Sequence, residues 1–204
     1  MTNLTVIILT ISAFWLGACP FSVWFGRWFL HKDIQQYGDG NPGAANVFLA
    51  GGREVGLLAL IFDIGKGFIF VFAAHEIFGL PELTLLLIGM GAVLGHAFSP
   101  ILGFHGGKAV AITYGVLLAF PQYWALISLA FATLMAFILI DNDAWTVLVG
   151  ASASFIFMLV IQGNTFETGF MLFVLILFIY KFHREILTVP SLGRLAHWLQ
   201  SRKT

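Results

Sequence analysis

The chain has 204 residues, 59% of them apolar and only 10% charged, with a formal net charge of zero. A soluble domain carries roughly a quarter charged residues, so this composition excludes a water-covered globule, and the neutral balance leaves no basic footprint for nucleic acid. The apolar residues run in long blocks and do not alternate, which points to an all-α integral membrane protein and not a barrel. The first block begins near Leu4, has no Lys or Arg before it, and outruns a signal peptide's apolar core, so it reads as a retained span. Seven spans are expected in chain order: Leu4–Leu30, Val55–Phe78, Leu83–Phe98, Ala109–Phe120, Tyr123–Ile140, Ala144–Ile161 and Phe166–Phe182. The second carries Asp63, Lys66, His75 and Glu76. Its ionisable side chains require a protein-facing or cavity-facing stretch. The third and fourth are short, and the Gly- and Pro-rich break between them, GHAFSPILGFHGGKA, is tolerated at membrane depth only where protein buries it or water reaches it.

Charge supplies an orientation. Seven spans collect Arg27, Lys32, Arg53, Lys108, Lys181, Arg184, Arg194, Arg202 and Lys203 on one side, while the loops near 1–3, 79–82, 121–122 and 162–165 hold no Lys or Arg. The positive-inside rule then makes the first side cytoplasmic, with the N-terminus outside and the C-terminus cytoplasmic. The basic, mildly amphipathic tail SLGRLAHWLQSRKT suits either an interfacial helix or a disordered end. No internal repeat and no second domain is visible, so residues 1–204 read as one domain. The single cysteine, Cys19, excludes an intrachain disulfide and a multi-cysteine metal site. No metal or organic cofactor is suggested.

Three unusual segments fall on the cytoplasmic side: GDGNPGAAN (38–46), GHAFSPILGFHGGKA (95–109) and YKFHRE (180–185). Gly-rich turns expose successive N–H groups that form anion-binding concavities. Lys108, directly after Gly106 and Gly107, adds a point charge suited to phosphate. His96 and His183 are the accompanying imidazoles, and His105 is a weaker candidate. Asp63 and Lys66, three apart, share one helix face, with a structural ion pair favoured over a functional one. Asp39 precedes a glycine in a common turn pair, so a turn role and a functional role stand side by side. A His-x4-Asp box, a Walker loop, a His-Glu-x-x-His zinc motif and a Gly-x-Ser-x-Gly elbow are all absent.

Together these segments resemble the three cytoplasmic motifs of the bacterial acyl-phosphate:glycerol-3-phosphate acyltransferases, the PlsY family. Gly38, Gly40, Asn41, Gly43, Ala44 and Asn46 match the first motif, while Asp39 stands at its serine position, Ala45 at its threonine and Leu49 at its arginine. Gly95, His96, Pro100, Phe104, Gly106, Gly107, Lys108, Val110 and Ala111 match the second. Tyr180, Lys181, His183 and Arg184 resemble the third, with Ile186 at its asparagine position. The DIGKG of the second span is similar to the family's Asp-x-x-Lys-Gly.

The resemblance implies a multi-pass protein of the bacterial plasma membrane with its active site facing the cytoplasm. It implies acyl transfer from acyl phosphate to glycerol 3-phosphate, giving lysophosphatidic acid for phospholipid synthesis. Lys108 and His183 would be the catalytic pair. Gly38, Asp39, Gly40, Asn41, Gly43, Asn46, His96, Gly106, Gly107 and Arg184 would hold substrate phosphate. The departures bear on that reading. Leucine at 49 removes a bidentate phosphate fork, and Arg53 lies four residues further on. An aspartate about 4 Å from a phosphate repels it by about 4 kcal/mol at an effective dielectric of 20. Two alternatives follow: a divergent paralogue in which Asp39 recognises a different acceptor or acts as a base, and a channel or transporter built on Asp63 and Lys66.

Overall fold

Pro20 splits the first apolar block in two. Its ring has no N–H and clashes with the preceding turn, so a helix running into it stops. The computed structural model describes residues 2–188 and Gly193. Helix α1 covers Thr2–Ala18 and α2 covers Phe21–Phe29. Then follow α3 (Ala44–Leu49), α4 (Arg53–Phe72), α5 (Glu82–Ala97), α6 (Val110–Leu118), α7 (Trp124–Leu139), α8 (Asp143–Ile161) and α9 (Phe166–Lys181). Helix α4 runs on into a wider π-type turn at Ala73–Ile77, and short 3-10 turns occupy Ile34–Gln36, Pro100–Leu102 and Glu185–Leu187. The basic tail lies outside the described residues apart from Gly193.

Among the described residues, four stretches are long and apolar enough to cross a membrane: Asn3–Phe29, Arg53–Ile77, Glu82–Leu102 and Asp143–Ile161. These are the first, second, third and sixth expected spans. Trp124–Leu139 is apolar but shorter. Exposed Ile7, Ile11, Ile61, Phe131 and Val160 give these helices apolar outer faces suited to lipid.

The chain forms two compact units, Met1–Pro121 and Gln122–Thr204. In the first, glycines let backbones meet. A Cβ on Gly95 would lie 2.0 Å from the Phe14 carbonyl oxygen, and one on Gly17 would lie 2.2 Å from that of Ala92, so α5 and α1 touch at main-chain distance. Gly67 and Gly115 do the same for α4 and α6, where added carbons would meet the carbonyl oxygens of Ile112 at 2.3 Å and Ile64 at 1.9 Å. Small residues at such crossings are how membrane helices gain dispersion contact without a hydrophobic driving force. Buried Val23, Phe25, Ile34, Val47 and Ala59 form a core cluster that joins α2, α3 and α4 and fixes the loop between α2 and α3.

The second unit packs α8 against α7 and α9. Ser128 and Ser154 share a hydrogen bond of 2.7 Å, and Gly150 lies against Thr133. Asn142 caps α8 by accepting from the N–H groups of Ala144 and Trp145. Thr165 caps α9 by accepting from Thr168 N–H. Each cap satisfies a helix-end donor that would otherwise be orphaned.

Candidate active site

The loop before α3 turns on two glycines in the left-handed region, Gly38 at φ 57° and Gly40 at φ 74°. Between them Asp39 ties the loop together. Its Oδ1 accepts from the Asn41 N–H at 3.0 Å and from Asn46 Nδ2 at 3.0 Å. Asn46, in the first turn of α3, also donates to the Asn41 carbonyl at 2.9 Å. The other carboxylate oxygen, Oδ2, takes the Lys108 ammonium at 2.5 Å. Lys108 thus brings the second motif onto the first across 69 residues of sequence. The Asp39 side chain keeps 38% of its surface exposed and Lys108 16%, so solvent reaches the pair. Burial pushes the Asp39 carboxyl up. The hydrogen bond from Lys108, the Asn41 N–H, the lysine's charge and the Asn46 amide outweigh that push and hold it below the usual carboxylate range.

The second motif folds back on the end of α5. Gly107 N–H donates to the His96 carbonyl at 3.0 Å. A Cβ on Gly106 would lie 2.0 Å from that carbonyl oxygen, and one on Gly107 would lie 2.2 Å from His96 Nε2. Both glycines are therefore fixed by their closeness to His96. Phe104 and Ala109, at φ 65° and 64°, flank the segment in the left-handed region, a cost of roughly 1–2 kcal/mol for each non-glycine residue. Backbone strain of this kind collects at functional sites.

Beneath these loops lies a buried ionic network. Asp63 and Lys66 on α4 are 2.7 Å apart and almost fully enclosed. The pairing on one helix face expected from their spacing is present, and neighbours satisfy it. Ser22 Oγ donates to Asp63 at 2.9 Å, and Lys66 Nζ donates to the Cys19 carbonyl at 2.9 Å. Ser99 Oγ donates to the Ala18 carbonyl at 2.5 Å. The break at Pro20 therefore leaves the last carbonyls of α1 to be satisfied by side chains from α4 and the α5–α6 loop. His96 Nδ1 stands 3.9 Å from Asp63. A small cavity adjoins the network, lined in part by Cys19, Pro42, Lys66, His96, Ser99 and Gly107. It touches the residues next to Asn41 and Lys108, so the network and the two loops are neighbours.

In the second unit, His183 and Arg184 follow α9 and are exposed. His183 Nδ1 lies 2.6 Å from the Tyr180 carbonyl. A carbonyl only accepts, so Nδ1 carries a proton, which leaves Nε2 as the ring nitrogen able to act as a base.

Of the expected site residues in the first unit, the structure brings together Gly38, Asp39, Gly40, Asn41, Asn46 and Lys108. It seats Gly106 and Gly107 against His96. Gly43 precedes α3 with an extended backbone, and Leu49 is exposed. Sequence reading missed Ser22, Ser99 and the carbonyls of Ala18 and Cys19. The signal was Pro20, which marks a helix end and hence carbonyls in need of donors.

The fold and this site define a helical membrane protein with two glycine-rich loops joined by an ion pair over a buried ionic network. The family model for glycerol-3-phosphate acyltransferase matches residues 7–189, and the chain belongs to that family. It is 40% identical over 65% of its length to the glycerol-3-phosphate acyltransferase of Lactiplantibacillus plantarum. It is 36% identical over 78% of its length to that of Aromatoleum aromaticum, covering 80% of the relative. The match spans 64% of the Lactiplantibacillus plantarum relative and 58% of the Enterococcus faecalis one, less than two thirds of each. A crystal structure of PlsY (YgiH), an integral membrane glycerol 3-phosphate acyltransferase in its glycerol 3-phosphate form, superposes with a TM-score of 0.79 at 30% identity, covering 89% of this chain and 90% of that one. Its lysophosphatidic acid form superposes with a TM-score of 0.75.

Proposed function

We propose that this chain transfers an acyl group from acyl phosphate to the 1-hydroxyl of glycerol 3-phosphate, forming lysophosphatidic acid and inorganic phosphate. The observation that carries the reading is the meeting of the first two motifs through Lys108 and Asp39 in a chain of this family. The hydroxyl oxygen bonds to the acyl carbon, the bond from that carbon to the phosphate oxygen breaks, and phosphate leaves with the electron pair. Lys108 holds a phosphate oxygen as a point charge. The N–H groups of Gly40–Gly43 are spent within the loop, Gly40's on the Tyr37 carbonyl, Asn41's on Asp39 and Gly43's on the Asn41 carbonyl, so the positioning and electrostatics that would supply most of the rate fall to side chains. His183 and Arg184 complete the proposed set, with His183 Nε2 as acceptor of the hydroxyl proton.

The wider reading is one acyltransferase domain over residues 1–204 with seven spans in the bacterial plasma membrane. The N-terminus lies outside and the C-terminus and active site face the cytoplasm. The Lys and Arg asymmetry of the loops supports it. The test of function is direct. Purified protein with palmitoyl phosphate and labelled glycerol 3-phosphate yields lysophosphatidic acid, and Lys108→Ala removes most of it. Equal product from both proteins, or none from either, overturns the assignment.

A further inference from the structure

Resting on that reading, we propose that Asp39 makes phosphoryl binding proton-linked: the site takes up one proton with its ligand, shared between the Asp39 carboxylate and a phosphoryl oxygen. The geometry carries this. Asp39 Oδ2 lies 2.5 Å from Lys108 Nζ. Any phosphoryl oxygen that reaches the same ammonium therefore approaches a carboxylate. Among the described residues, the groups bonded to Asp39 are Lys108 from the loop before α6, Asn41 on its own loop and Asn46 on α3. The one charged group among them is a lysine that Asp39 already neutralises. A phosphate monoester has a second ionisation near pH 6, so at neutral pH it arrives as a dianion. A dianion beside the carboxylate is repelled. The monoprotonated form instead donates a P–O–H hydrogen bond to Asp39 while another oxygen takes the ammonium, a charge-assisted pair of contacts. The proton comes from solvent on binding and returns to solvent on release. The exposed side of the Asp39–Lys108 pair gives ligand and proton a common approach.

A serine at position 39 has neither the charge nor the proton affinity for this, so the residue sets which ionisation state of the ligand the site selects. Glycerol 3-phosphate and acyl phosphate share the phosphoryl chemistry, and the KM of each, varied separately, identifies which one Asp39 meets.

The experiment has two arms. In the first, acyl transfer by the full-length protein is followed between about pH 6 and 8.5. The expected result is that one substrate's KM rises by about tenfold per pH unit above its phosphoryl second ionisation. Asp39→Ser and the isosteric Asp39→Asn are expected to flatten that slope, with kcat following a separate profile. In the second arm, calorimetry with inorganic phosphate in buffers of different ionisation enthalpy counts protons directly. Wild type is expected to take up more protons per phosphate than either variant, by a difference approaching one. Parallel pH slopes in wild type and Asp39→Asn, equal proton uptake, or no phosphate binding by wild type overturns the proposal. Proton-linked phosphate binding without any lysophosphatidic acid formation overturns the acyltransfer reading and leaves the role of Asp39 standing.

Discussion

Asp39 and Asp63 show two fates for a carboxylate paired with lysine. Asp39 is half out in solvent, and its folded carboxyl lies below the ordinary range. The unfolded chain therefore binds the proton first as pH falls. The pair's stabilisation is fully present above the unfolded value near about pH 4 and is lost as pH drops through the lower folded value. The expected outcome is a thermal-midpoint gap between wild type and Asp39→Asn that is constant near neutrality and closes in acid, read in detergent by tryptophan fluorescence. A gap that widens in acid contradicts the pairing. Asp63 and Lys66 are enclosed, so removing one partner strands the other. Asp63→Asn and Lys66→Met are each expected to cost roughly 3–5 kcal/mol. The double variant is expected to lose much less than their sum, and a double-mutant cycle of thermal midpoints checks that coupling. Additive losses would mean the two side chains act separately. Both aspartates were visible in sequence, Asp63 through its spacing to Lys66 and Asp39 through its Asp-Gly turn. The partners were less visible. Lys108 meets Asp39, and Ser22 meets Asp63, only after chain segments far apart in sequence have packed.

At the scale of elements, glycine decides where helices approach. The apolar blocks disclosed the helices, because length and hydropathy are local properties. Which glycines lie at crossings is a property of packing and cannot be read from periodicity in a helix that is apolar all round. Gly95 and Gly115 face carbonyl oxygens at 2.0 and 1.9 Å from a would-be Cβ, and backbone cannot move aside as a side chain can. Gly95→Ala and Gly115→Ala are expected to force the helices apart and to destabilise the fold by about 1–3 kcal/mol or more. Gly65, on the same helix α4 as Gly67, has nothing within 4 Å of its would-be Cβ. Gly65→Ala is expected to be neutral or stabilising by up to about 1 kcal/mol, through helix propensity alone. Thermal unfolding of the three variants in one detergent checks the ordering, and a Gly65→Ala loss equal to the Gly95→Ala loss would refute the packing account. Pro20 belongs to the same scale. A single residue ends α1, and the carbonyls it releases define where Lys66 and Ser99 dock.

For the whole molecule, the proposed membrane topology joins the charge pattern to the chemistry. The loops near Lys32, Arg53 and Lys108 carry positive charge, while 79–82, 121–122 and 162–165 carry none. Loops rich in Lys and Arg stay on the cytoplasmic side, where soluble phosphorylated substrates are held. The proposed orientation would therefore follow from insertion and would also place the glycine-rich loops on the side of the proposed substrates. In a Cys19→Ser background, Glu82→Cys and Asn164→Cys are expected to react with a membrane-impermeant maleimide on intact cells. Gln35→Cys and His105→Cys, which are partly or fully exposed, are expected to react only after permeabilisation. An even number of spans between Gln35 and Glu82 would put these two on the same side, so mixed labelling of that pair tests the second span by itself. Labelling of Asn164→Cys tests the sixth span, Asp143–Ile161, in the same way. Labelling of His105→Cys from outside would remove Lys108 from the cytoplasmic face and with it the route by which the proposed substrates arrive.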